Sequence, residues 1–240
     1  MKNIMTLPTI ETPKYHLTIP STQDILEFRP FLVKEEKVLM IAQEAGTNST
    51  MISAMKDVIT SCTFNKVDLY ALTMSDLEYI LLQIRSKSVG ETSKIKLKCE
   101  ESGEFVAVEL DLSQIEVQVS DKAKDNTIQL TDDVGITLKT PGLKEAEREA
   151  VKKSKSETES MISGLRSVIE NVYDSDQVYP FADVSKKEAD TFIDSLSGQQ
   201  VLKIKEWVET LPKLSHEVHF KGPNGHENTI ELVGLSDFFT

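Results

Sequence analysis

Apolar residues recur at helical spacing over the first third of the chain. From Phe31 to Ala45 they fall at 31, 32, 38, 39, 42 and 45, with Glu35, Glu36 and Lys37 opposite and Gly46 placed to end the helix. The stripe Met51, Ile52, Met55, Val58, Ile59 and Cys62 predicts a second helix over about 49–62. Leu77, Ile80, Leu81 and Ile84 predict a third, opening on Ser75-Asp76-Leu77-Glu78 and ending near Ser88-Val89-Gly90. That opening reads as a capping box, in which the serine oxygen accepts from a first-turn amide and the glutamate reaches back.

Strand patterns surround and follow these helices. Lys14–Ile19 alternates between Pro13 and Pro20, as an edge strand or a docking arm would. Lys94–Cys99 and Glu104–Leu112 alternate on either side of Ser102-Gly103 and predict a hairpin. Glu116–Ser120, Thr127–Leu130 and Ile136–Lys139 read as short strands. Thr140-Pro141 then starts a helical pattern with proline at the first position. From Lys144 to Glu159 it is polar, with five basic and five acidic residues. From Met161 an apolar stripe runs to Val172. Such a helix projects, links two lobes, or waits for a partner.

Two capped helices follow, about 185–196, opening on the capping box Ser185-Lys186-Lys187-Glu188, and 198–210, the second predicted to bury Val201, Leu202, Ile204 or the Lys205 stem, Val208 and Leu211. Trp207, the only tryptophan, sits there as a core anchor or an interface anchor. A hairpin, Glu217–Lys221 and Glu227–Val233 around Gly222-Pro223-Asn224-Gly225, precedes a short end at Leu235–Phe239. The pattern predicts an α+β fold with antiparallel β-hairpins. It reads as an N-terminal lobe over 1–140, a long, partly polar connecting helix over 141–175, and a C-terminal helix–hairpin lobe over 176–240. The two hairpins are also alike. Lys94–Lys98, a turn, Val106–Leu110 and Leu112-Ser113 match Glu217–Lys221, a turn, Thr229–Leu232 and Leu235-Ser236. This reads as a weak duplication.

Charge narrows the classes of function. Twenty-seven Lys and Arg against 39 Asp and Glu give a net charge of −12, shared evenly between residues 1–140 and 141–240. Such a chain is poorly suited to phosphate contacts, so no nucleic-acid partner is expected. Residues 100–133 hold ten acidic residues against Lys122 and Lys124, as a solvated face or a surface for a basic partner. The longest apolar runs, such as Val38–Ala42, cannot span a bilayer, and the start lacks the pattern of a secretory signal. Cys62 and Cys99 make at most one disulfide, which fits a reducing cytosol.

Chemistry is sparse. Cys99 stands at a hairpin knuckle, but its neighbours are Glu100, Glu101 and Ser102, so a four-ligand zinc site is not expected. His216 and His219 point to opposite faces of a strand, and His219 and His226 are read as surface residues. Ser88-Val89-Gly90-Glu91 is not a P-loop, and no Gly-x-Ser-x-Gly occurs. No catalytic, cofactor or metal residue is assigned.

Two stretches are more distinctive. They are Arg29-Pro30-Phe31-Leu32-Val33-Lys34-Glu35-Glu36-Lys37-Val38-Leu39 and Asp76-Leu77-Glu78-Tyr79-Ile80-Leu81-Leu82-Gln83-Ile84-Arg85-Ser86-Lys87-Ser88-Val89-Gly90-Glu91. Together they resemble the T4-type bacteriophage baseplate hub protein family, over residues 8 to about 112. The resemblance implies a structural or assembly protein rather than an enzyme. It implies other phage hub or tail proteins as partners, leaves room for a homo-oligomer, and places the protein in the host cytoplasm during assembly or in the virion baseplate. A tail chaperone for a tape-measure-like protein is the alternative, and a small cytosolic enzyme a third.

The residues add their own expectations. Arg29 offers a planar fork to a carboxylate, Phe31 sets a helix entry, and Glu35 and Glu36 lie one turn in. Arg85, Lys87 and Ser88 end a helix where cations suit the dipole, and Gly90 permits a left-handed turn. These residues are either fixed corners of the fold or, with Trp207, a partner-binding surface.

Overall fold

A computed structural model describes residues 10–151 and 156–238. Tyr15–Thr18 (β1) and Ile25–Phe28 (β2) form an antiparallel pair, so the strand between the two prolines closes on its own chain. Val33–Ala45 (α1) stops at Gly46, whose φ of +64° is open to glycine. Asn48–Cys62 (α2) starts on the Thr47 side chain, which accepts from the Thr50 amide.

Met74–Val89 (α3) is capped, but not by Ser75 and Glu78. The box lies two residues upstream. Thr73 Oγ1 accepts from Asp76 N at 3.2 Å, and Asp76 Oδ2 accepts from Thr73 N at 3.0 Å. Aspartate serves here where glutamate is the more familiar partner, and the shift places Ser75 and Glu78 inside the helix.

Thr92–Lys98 (β3) and Phe105–Asp111 (β4) make the first hairpin, closed at Gly103 with φ +72°. Glu116–Gln118 (β5) follows a short 3-10 turn, Leu112–Gln114. Thr127–Gln129 (β6) and Gly135–Leu138 (β7) pair antiparallel.

The predicted long helix is not continuous. Leu143–Val151 (α4) and Glu157–Val168 (α5) are separate helices, because Ser156 is extended and caps α5 with Glu159. Residues 152–155 of the polar stretch lie outside the described residues. The end of the apolar stripe is a strand, Ile169–Tyr173 (β8), in which β-branched Ile169 and Val172 pair with β7. Val178–Pro180 (β9) completes a sheet of order β6-β7-β8-β9.

Lys186–Asp194 (α6) carries the predicted Ser185/Glu188 box, and Gly198–Val208 (α7) follows. Ile204 and Trp207 of α7 are buried, with Val201 and Leu211 packed beside them. Leu202 is 55% exposed and Val208 39%, against the expectation that both are buried. Leu202 falls on the far side of the Val201–Ile204–Trp207 stripe, and Val208 is the last helical residue. Lys213–Lys221 (β10) and Glu227–Val233 (β11) form the second hairpin, and β5 adds to β10 to give a sheet of order β11-β10-β5. A 3-10 turn, Leu235–Phe238, follows.

The fold is α+β, and it has three apolar clusters. The first joins β1 and β2 to α2 and α3 through Leu17, Phe28, Ile59, Leu77 and Ile84. The second joins α3 to both hairpins through Leu82, Ile95, Leu112, Ile115, Phe220 and Phe238. The third gathers β7, α5, α6 and α7 around Ile136, Leu165, Ile193 and Trp207. The chain interleaves them: β6 and β7 pack with helices that follow the polar stretch, whereas β10 and β11 return to α3.

The two hairpins end alike. Each hairpin is followed by a 3-10 turn that begins Leu-Ser, and Ile115 and Phe238, fourth in each turn segment, are fully buried in the same cluster. Phe238→Ala is expected to cost about 3–5 kcal/mol and Ile115→Ala about 2–5 kcal/mol, read from urea denaturation of the whole protein. A loss below about 1 kcal/mol for Phe238→Ala would remove the last turn from the core.

Candidate functional site

The two distinctive stretches meet. The chain leaves β2 at Arg29, whose amide donates to the Cys62 carbonyl at 2.9 Å and so ties β2 to the end of α2. The Arg29 side chain turns inward and is 8% exposed. Its Nη2 donates to Glu35 Oε1 at 2.8 Å and to Ser61 Oγ at 2.9 Å, and its Nη1 donates to the Pro30 carbonyl at 2.8 Å. Ser61 Oγ in turn donates to Glu35 Oε1 at 2.6 Å.

Glu35 also completes the start of α1. Leu32, in the cap position, has no side-chain oxygen, and Glu35 Oε2 accepts the Leu32 amide at 2.8 Å. One carboxylate therefore serves a helix end and a buried guanidinium at once. Burial pushes the Glu35 pKa up. The Arg29 hydrogen bond, the Ser61 hydroxyl and the Leu32 amide together outweigh it and bring the pKa from 4.5 to about 2.

The second stretch closes the corner from the other side. The Phe31 amide donates to Ser88 Oγ at 2.8 Å, and Ser88 Oγ donates to the Ile84 carbonyl. Gly90 ends α3 with φ +141° and ψ 155°. This is not the left-handed turn expected, but an extended conformation of positive φ open to glycine. Lys87 pairs with Glu91 and lies 5.6 Å from the centre of the Tyr15 ring. Arg85 is half-buried, and burial lowers its pKa while the charge of Glu36 opposes the shift.

Arg29, Phe31, Glu35, Glu36, Arg85, Lys87, Ser88 and Gly90 thus belong to one region where α1, α2 and α3 converge. Trp207 does not. It is 7% exposed in the third cluster, and its indole nitrogen has no hydrogen-bond partner among the described residues.

Sequence reading missed a second joint. Asp76 is almost fully buried, and besides capping α3 it accepts the Ser21 amide at 3.0 Å through Oδ1. That bond holds the β1–β2 turn against α3. The Thr73-x-x-Asp76 spacing carried the signal. Glu78, freed from the cap, accepts a backbone hydrogen bond from Leu235, and burial raises its pKa against that bond.

The corner spends its donors and acceptors on one another, which makes it a rigid joint. Among the described residues no group of three or more His, Cys, Asp and Glu could hold a metal ion. His219 Nδ1 lies 2.9 Å from Thr229 Oγ1, and His226 pairs with Glu101, so the two histidines do not converge. An open groove of about 330 Å³ runs between α2 and α4, where Lys56 bridges to Glu147 at 2.6 Å.

Those features are of a protein built on helix joints and hairpins. The chain belongs to the T4 bacteriophage base plate protein family, whose model matches residues 12–240. In the same comparisons no curated protein and no solved structure matches it. The family gives the chain a structural or assembly role in the phage baseplate, in contact with other phage proteins. Among the described residues no helix is long and apolar enough to cross a membrane.

Glu35 gives a pH test. Its folded pKa lies below the ordinary value, so its stabilisation is complete above pH ~4.5 and is lost as the pH falls toward ~2. The shift corresponds to about 3 kcal/mol at neutral pH. Glu35→Gln is expected to lower stability near pH 7 and to flatten the acid limb of the urea midpoint between pH ~5 and ~2. An acid limb unchanged by the substitution would show that the carboxylate is not held ionised by this network.

Proposed function

We propose that the protein acts in assembly of the baseplate hub, through contacts with other hub or tail proteins made in the host cytoplasm while tails are built. One observation carries this reading. The two stretches that distinguish the sequence are bonded into a single corner, and α1, which rises from it, leaves Val33 at 65% and Ile41 at 66% exposure, with Met40 also in solvent. In this reading Arg29, Glu35, Phe31 and Ser88 hold the corner. Glu36, Arg85, Lys87 and Gly90 shape its rim, and the apolar flank of α1 makes the contact. An exposed apolar flank on a rigid helix is the usual core of a protein–protein contact. Trp207 anchors the third cluster and stands outside this surface.

The test separates folding from docking. Val33→Glu with Met40→Glu is expected to leave thermal unfolding of the isolated protein within a few degrees of the parent, a change of about 0.5 kcal/mol or less. The same variant is expected to reduce the yield of complete baseplates in a complementation assay. Normal yield from the folded double variant would remove α1 from the docking surface. Arg29→Ala, by contrast, takes the buried guanidinium from the Glu35 carboxylate, which keeps the Ser61 hydroxyl, the Leu32 amide and the exposed Lys34 ammonium at 3.3 Å, and is expected to cost about 3 kcal/mol in the isolated protein. A census of mature particles distinguishes a retained subunit from a factor that departs.

A further inference from the structure

The two hairpins share a form and differ in charge. Both turn alternate residues into the second cluster, Ile95 and Leu97 from one, Val218 and Phe220 from the other, and leave the opposite face in solvent. On the first hairpin that face carries Lys94, Lys96 and Lys98. Lys94 lies 3.8 Å from Glu109 across the strands, but Lys96 stands opposite Ala107 and Lys98 opposite Phe105, neither of which is charged. Phe105 is 67% exposed. On the second hairpin the same face carries Glu217, Glu227 and Glu231, and Glu217 stands directly opposite Glu231.

The backbone ladder tightens both arrangements. Cys99 N donates to the Glu104 carbonyl and Gly222 N to the His226 carbonyl, each at 2.8 Å. Bonded and non-bonded pairs alternate from these points along an antiparallel ladder. Lys96–Ala107, Lys98–Phe105 and Glu217–Glu231 therefore fall on non-bonded pairs, where facing side chains stand closest. Two carboxylates in that position repel. Lys213, 2.7 Å from Glu231, and His219, 3.0 Å from Glu217, offset part of the repulsion from within the hairpin. Along β3 the three lysines repel at intervals of about 7 Å. Each face thus holds like charges side by side, and the sign that would relieve it lies on the other hairpin.

The match extends beyond net sign. Rows two residues apart are about 7 Å apart on both hairpins, so the faces stay in step when laid on one another. Laid in opposite directions, tip to base, Phe105 falls in the row of Val233, which is 42% exposed. Asp237 accepts the Val233 amide at 2.9 Å and stands within reach of the Lys98 row. Lys96, beside the small Ala107, falls on the Glu217–Glu231 pair. Glu109 then falls in the row of His219, and Asp111 in that of Lys221. Laid tip to tip instead, Glu109 falls on the two carboxylates and Lys98 on Lys221. Within one chain the faces cannot meet, because both hairpins turn their apolar sides to the same cluster.

We propose that copies of the protein join head to tail, the solvent face of β3–β4 in one copy packing tip to base on the solvent face of β10–β11 in the next. Lys96 neutralises the Glu217–Glu231 pair, and Phe105 leaves water against Val233. Each copy brings one face of each kind, so the contact is heterologous and repeats until a ring closes. A face two strands wide is well below the standard interface, so the association is weak, dependent on concentration and screened by salt. It uses neither α1 nor its apolar flank, so the two surfaces stand or fall separately.

Sedimentation of the full-length protein tests this. The parent is expected to self-associate reversibly between about 0.1 and 1 mM, and to dissociate as NaCl rises from ~50 to ~500 mM. Lys96→Glu with Phe105→Ser alters only the first face, and Glu217→Lys with Val233→Ser only the second. Each pair is expected to weaken self-association about tenfold or more. Mixed one to one, the two variants keep one sound face each, and are expected to form dimers that grow no further. Circular dichroism checks that they fold. If either double variant unfolds, Lys96→Glu or Glu217→Lys alone takes its place, since each replaces like-charge neighbours by opposite ones and is expected to fold at least as well as the parent. A parent monomeric at about 1 mM and low salt, self-association unchanged by these substitutions, or a mixture that stays monomeric overturns the proposal. A mixture that grows as the parent does also overturns it, because the contact then lies elsewhere.

Discussion

Burial of α3 on two faces is the constraint from which the rest of the molecule is built. One face, Leu77, Ile80, Leu81 and Ile84, belongs to the first cluster, and Leu82 reaches the second. A helix with a single apolar stripe can serve one layer. This one is shared between a helical layer and a layer of hairpins, so displacement of its axis would disturb both. Its ends are correspondingly held from outside. Asp76 bonds the turn after β1 at the N-terminus, and Ser88 takes the Phe31 amide at the C-terminus. The corner where the two stretches 29–39 and 76–91 meet is in this sense the C-terminal fastening of α3.

Much of this was legible in the sequence because it is local. The α2 and α3 stripes, both hairpins, the Ser185 box and the stops at Gly46 and Gly90 each depend on residues a few positions apart. Where the reading failed, the deciding partner was distant or the signal was shared. Ser75 and Thr73 both open plausible boxes, and only the second has an acid at the right place that also meets Ser21 from across the fold. The stripe 161–172 was read as one helix because Ile169 and Val172 fit helical spacing as well as a strand. Pairing with β7, more than thirty residues upstream, decided between them. The interleaving of the clusters was invisible for the same reason, since nothing near Ile136 announces Trp207.

The candidate corner was half legible. Its residue types pointed to a fork and a carboxylate, and Arg29 and Glu35 do pair. Their depth could not be read, because buried and exposed ion pairs use the same letters. Burial changes what the pair does. An exposed pair would contribute little, whereas this one fixes the angle at which α1 leaves β2 and leaves no slack at the junction of three helices.

Cys62 sits within that junction, fully buried, and burial is the leading cause that pushes its thiol pKa to about 11. At pH 7 the thiol is protonated, and its sulfur is shielded from solvent. Alkylation of this sulfur must wait for the first cluster to part. The residue is therefore a built-in gauge of local opening. Its labelling rate would follow the frequency with which the helices separate, whatever event in the assembling tail causes them to do so.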